Sequence, residues 1–239
     1  MSNSNKHELL IINLATVRAE RNLIPCLHKC VDFVRHFKAT SFFVNMQDKD
    51  IQNFWSWFAK NSNSLQSDNY EKSLLDKLDK TISNWGLVWE VGPGLLKENS
   101  LTISPNGDQE LLDKTNYIID KAPQLDNWEF FNAKQPKENW YLATLVDTGF
   151  EIDASNWTYV LLKYEDEKIE ILLKADSLVN LDIETKELVA DLILTNLLGE
   201  KLKIEKIDFV DIVDKFDDQK GVTELKHLPA LLIDKKYFE

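Results

Sequence analysis

Residues 85–134 constrain this chain more than any other stretch. They read WGLVWEVGPGLLKENSLTISPNGDQELLDKTNYIIDKAPQLDNWEFFNAK, a strand, a turn, a second strand, a helix and a third strand in one block. Leu87, Trp89 and Val91 alternate with Val88 and Glu90, the period of a half-buried strand, and Gly92-Pro93-Gly94 stops the run. Leu101 and Ile103 mark a second strand that Pro105-Asn106-Gly107 closes. Asp108 is suited to cap a helix whose Leu111, Leu112, Thr115, Ile118, Ile119 and Ala122 share one face. Pro123 ends it, because proline disfavours helical backbone in the residue before it. Residues 128–133 supply the last strand, so the block predicts a ββαβ unit.

The same order of elements recurs from Trp157 to about Asp211. Residues 158–164 and 169–173 flank the polar turn 165–168, a hairpin by composition. Residues 184–198 form a helix that is apolar almost all round and ends at Gly199. Leu202, Ile204, Ile207, Phe209 and Val210 then alternate, with a slip of face between Ile204 and Ile207 that predicts a bulge.

The first 84 residues read as mostly helical. Pro25 opens a helix striped with Leu27, Cys30, Val31, Val34 and Phe37. Asp48 is the expected N-cap of a second that buries Ile51, Phe54, Trp55 and Phe58, and a third starts near Ser67 with Leu74, Leu75, Leu78 and Ile82. A short strand is expected at Phe42-Phe43-Val44. The fold expected is α+β: an N-terminal helical section packed on an antiparallel-rich sheet built from two ββαβ units. The boundaries are 1–84, 85–134 for the first unit, 135–156 for a connector, and 157–239 for the second unit with a C-terminal extension. They compose one integrated domain or two subdomains, and LPALLIDKKYFE at the end is open between strand, helix and swapped arm.

Charge narrows the function classes. With 40 acidic against 28 basic residues, the net charge is −12 at pH 7. Such a surface repels a polyphosphate backbone, and the one adjacent basic pair is Lys235-Lys236, so nucleic acid is not an expected partner. The acidic balance suits a solvated surface, or one that meets a basic protein. The apolar stretch from Leu9 is cut at Asn13, too short for a membrane span or signal peptide. Cys26 and Cys30 do not form an export-type disulfide pattern. The chain is therefore expected to be cytoplasmic.

The residues Leu101-Thr-Ile-Ser-Pro-Asn-Gly-Asp108, Ala122-Pro123 and Trp128-Glu-Phe130 resemble a loosely defined family of uncharacterised bacterial cytoplasmic proteins. The resemblance implies an α+β fold. It brings no activity, and therefore no functional residue.

Candidate chemistry is sparse. Glu90 and Glu129 each follow a tryptophan in a predicted strand, so each points away from that ring. On one sheet they could share a face, and paired carboxylates in a partly apolar cleft can divide acid and base roles. They are the catalytic candidates; the plainer reading is two glutamates on a wet sheet face. Cys26, His28, Cys30 and His36 do not converge at helical spacing, so no metal is expected. Walker and dinucleotide-binding patterns and a serine-nucleophile elbow are missing, so no cofactor is expected. The turn Asn106-Gly107-Asp108 offers backbone N–H groups to an anion, but Asp108 as a cap would repel one. Among seven tryptophans, Trp140 and Trp157 in or beside the connector are the candidates for exposed partner contacts. The expected function is a non-enzymatic protein-binding module with an acidic surface. The alternative is a hydrolase or small-ligand binder using a cleft between the units, with Glu90 and Glu129 as its acids.

Overall fold

The computed structural model describes residues 11–12, 47–65, 71–145, 149–164 and 169–233. In chain order these form strand β1 (Ile11–Ile12), helices α1 (Asp48–Asn61) and α2 (Lys72–Asn84), then β2 (Val88–Gly92), β3 (Asn99–Ser104), α3 (Gln109–Ile119) and β4 (Trp128–Phe131). A hairpin β5 (Leu142–Leu145) and β6 (Phe150–Asp153) leads to β7 (Thr158–Lys163), β8 (Ile169–Lys174), α4 (Ile183–Leu198), α5 (Glu200–Lys206), β9 (Ile207–Ile212), β10 (Thr223–Glu224) and α6 (Leu228–Ile233). The architecture is α+β.

Both predicted units form, and each builds its own sheet with the same internal logic. In the first, β2 pairs antiparallel with β3, and β3 pairs parallel with β4 across the α3 crossover. In the second, β7 pairs antiparallel with β8, and β8 pairs parallel with β9 across α4 and α5. β10 adds to the free edge of β7, and β1, β5 and β6 make a third small sheet. The connector, which carries little pattern, thus contains the β5–β6 hairpin, and β1 pairs with β5 in parallel.

Local chemistry explains most boundaries. Asp108 caps α3 as expected, its Oδ1 accepting the Glu110 amide at 2.8 Å. Asp182 caps α4 through the Thr185 amide. α1 starts one residue earlier than the sequence suggests: Gln47 is the N-cap and Asp48 the first helical residue. The slip of face expected between Ile204 and Ile207 is not a strand bulge, because Leu202 and Ile204 lie in α5; the irregularity in β9 falls instead between Ile207 and Phe209, where it meets Ile169 and Glu170. The Pro25 helix, the Phe42–Val44 strand and the 165–168 turn lie outside the described residues, while the C-terminal segment holds a short helix, α6.

Two cores result. Ile51, Phe54, Trp55 and Phe58 of α1 share one core with Trp128 and Phe130 of β4, and Trp55 and Phe58 meet those two rings edge-to-face at 4.9–5.6 Å, the geometry aromatic quadrupoles favour. The second core joins Tyr159, Ile171 and Leu173 of its sheet to Ile193, Leu194 and Leu197 of α4 and to Ala143, Leu145 and Ile152 of the hairpin.

Candidate functional site

Register decides the fate of the two glutamates. Glu90 sits opposite Thr102, and Glu129 opposite Ser100. Thr102 and Ser100 are two apart on β3, so all four side chains share one face, as the sequence predicts. The carboxylates are not, however, neighbours. β2 and β4 flank β3, and a two-residue offset separates the levels, so ladder spacings put the Cα atoms about 12 Å apart. Glu90 is exposed. Glu129 is occupied: its Oε2 accepts the backbone N–H of Leu96 at 2.9 Å and of Lys97 at 3.3 Å. The Leu96 amide, then the Lys97 and Leu95 amides and the Lys97 charge, hold its carboxyl below the ordinary glutamate range against a smaller opposing desolvation. A carboxyl kept ionised by the backbone is a poor proton donor, and an exposed glutamate two strands away does not pair with it.

What Glu129 does is brace a loop. Residues 93–98 leave β2 and return as β3, and their amides turn inward onto the carboxylate. Ser100 Oγ donates to the carbonyls of Gly92 and Pro93 at 3.3 and 3.0 Å, and Lys97 Nζ donates to the Leu125 carbonyl at 2.7 Å. Gly94 is required by close approach: a Cβ there would stand 2.4 Å from Glu129 Oε2 and 2.6 Å from the Lys97 carbonyl oxygen. With the backbone folded inward, the side chains of Leu95 and Leu96 point out, 65% and 93% exposed. Glu98 within the loop, and Asp126 next to the Leu125 whose carbonyl Lys97 reaches, are also exposed. Sequence reasoning missed this loop because its signal, two leucines between a Gly-Pro-Gly turn and a Lys-Glu pair, is ordinary until Glu129 is folded beneath it.

The tryptophan candidates separate. Trp157 is only 2% exposed and its Nε1 donates to Ser177 Oγ at 2.9 Å; it belongs to the second core, and the expectation that it faces a partner does not hold. It immediately precedes β7, its amide donating to the Ala154 carbonyl at 3.1 Å. Trp140 is half-buried, packed on that core and stacked edge-on against Tyr141 at 5.7 Å, so only part of its ring is open to contact.

A buried carboxylate that the sequence did not announce joins the two units. Glu200, 2% exposed, opens α5 directly after Gly199, whose φ is +76°. Its Oε1 accepts the Ser104 hydroxyl at 2.9 Å and the Gly107 amide at 2.8 Å; its Oε2 accepts the Lys134 amide at 2.9 Å. The Glu200 amide returns a bond to the Lys134 carbonyl at 2.8 Å. The Gly107 amide of the turn 106–108 is taken by the protein's own Glu200, although Asp108 as a cap is expected to repel an anion there. Beside it opens a cleft of about 400 Å³, lined by residues of both units that include Phe131, Lys134, Pro136, Gly199, Leu202 and Glu205. Neither Glu90 nor Glu129 lines it.

Among the described residues, no cluster of three His, Cys, Asp or Glu side chains is placed to hold a metal, and no helix is long and apolar enough to cross a membrane. Cys26, His28, Cys30 and His36 lie outside the described residues. The chain matches no protein-family model, no curated protein and no solved structure, so no activity reaches it by likeness.

Proposed function

We propose that this protein is a non-enzymatic protein-binding module whose contact is the braced loop 93–98. The observation that carries the reading is the outward display of Leu95 and Leu96 from a backbone held by Glu129. Exposed apolar side chains on a slack loop lose entropy when they bind; on a braced loop much of that cost is already met by folding. The chemistry implied for the partner is an apolar pocket with basic residues at its rim, facing Glu98 and Asp126. The net charge of −12 disfavours nucleic acid in that role. A cytoplasmic setting, and kinship with the uncharacterised bacterial proteins that residues 101–131 resemble, belong to the same reading; the two-cysteine composition supports the setting.

The test is a quantitative pull-down with the intact chain and with a Leu95→Ser/Leu96→Ser variant, at low and moderate salt. A protein recovered by the first and depleted at least tenfold by the second supports the loop as the contact. Equal recovery by both chains, or none by either at both salts, removes it.

A further inference from the structure

The two faces of the sheet β10-β7-β8-β9 have different surroundings. Tyr159, Ile171, Leu173, Val210 and Ile212 point into the second core. On the opposite face the register sets Leu162 beside Glu170 and Phe209, then Val160 beside Leu172 and Asp211. Val160, Leu162, Leu172 and Phe209 belong to neither core; Leu162 is 37% exposed and Phe209 57%. A water-facing sheet surface normally reads polar, whereas two-thirds of these six positions are apolar.

The charge around this patch has one prevailing sign. Glu170 stands within it, its carboxylate fixed by the Tyr164 hydroxyl at 2.7 Å, and Asp211 closes one side. The basic residue at the next level, Lys174, is already engaged by Asp176. Beyond β9 the chain continues with exposed Asp214, Asp217 and Asp218 against Lys215 and Lys220. In size, three strands span about 10 Å, close to the diameter of one helix, and Phe209 offers a rigid ring at the rim.

We propose that this face seats an amphipathic helix of a partner protein, with an apolar stripe over Val160, Leu162, Leu172 and Phe209 and Lys or Arg residues along the flank that meets Glu170 and Asp211. The surface belongs to the second unit and shares no residue with the leucine loop of the first, so it does not depend on that loop being a contact.

The experiment places the photo-crosslinking residue p-benzoylphenylalanine at Phe209, and separately at Leu162, in the full chain inside cells that produce it, and identifies the attached peptide by mass spectrometry. The expected product is a peptide of another protein, net positive, with apolar residues at i, i+3 or i+4, and i+7. Asp211→Lys or Leu172→Ser should lower its yield at least tenfold while the melting temperature of the chain stays within a few degrees. Leu95→Ser/Leu96→Ser should leave the yield unchanged, which separates failure of this surface from failure of the loop. Attachment to residues 13–46 of the same chain, to a second copy, to a peptide without that pattern, or to nothing overturns the proposal.

Discussion

The Oε1 atom of Glu200 lies 2.8 Å from the amide nitrogen of Gly107, ninety-three residues earlier in the chain. Glu200 begins a helix of the second unit, and Gly107 closes the turn that leads from β3 into α3 of the first. With Ser104 and Lys134 completing its shell, one buried carboxylate answers three donors that would otherwise be turned away from water. At this point the two units are held together by polar chemistry.

That arrangement predicts a large effect from a small change. Glu200→Ala strands three donors at a buried junction, and an unsatisfied buried group costs about 1–3 kcal/mol. With partial relaxation the expected loss is about 3 kcal/mol, or about 6–12 °C in melting temperature for a chain of this size. Glu200→Gln keeps the volume but turns an N–H toward a donor, and should fall between the two. Urea and thermal unfolding of the three chains check this; a loss below about 0.5 kcal/mol for the alanine variant would contradict the role.

Acid should loosen the loop before it unfolds the protein. The folded Glu129 carboxyl titrates below its ordinary range, chiefly because the Leu96 amide, and with it Lys97, donates to it. A depressed carboxyl contributes stability above the unfolded pKa, and that contribution is lost as pH falls through the lowered folded value. Backbone hydrogen exchange at Leu96 and Lys97 should therefore be slow at neutral pH and accelerate, relative to its intrinsic rate, only once the pH has fallen below the ordinary glutamate range. Glu129→Gln should give fast exchange with no such acid limb. Glu90→Gln should change neither exchange nor stability; a shared titration of the two glutamates would revive them as a pair.

Gly94→Ala tests the brace from the other side. The new methyl would collide with the Glu129 carboxylate and the Lys97 carbonyl, and overpacking of this kind typically costs about 1–3 kcal/mol. Because the strain is confined to the loop, trypsin cleavage after Lys97 should speed up several-fold at temperatures where the rest of the chain stays folded. Unchanged cleavage would show that the loop has room to shift.

Period and punctuation made much of the fold legible. Alternation in 88–91, the polar turn between 158–164 and 169–173, the cap at Asp108, and the stops at Gly92-Pro93-Gly94 and Gly199 are local signals, and local backbone physics enforces them. The apolar stripe of α1 named its buried residues one by one for the same reason. The hairpin β5–β6 was hidden because four-residue strands give alternation too few repeats to stand out.

The functional residues were decided at longer range. Sequence put Glu90 and Glu129 on one face of a sheet, since side-chain direction follows from strand parity. Tertiary structure chose which strands lie between them, and folded loop 93–98 onto Glu129 alone. The burial of Trp157 and of Glu200 has the same origin, because whether a ring or a carboxylate meets water depends on what other segments pack over it. A single sequence specifies direction along each element; the distance between elements, and with it the partner of each charge, arises only when the core closes.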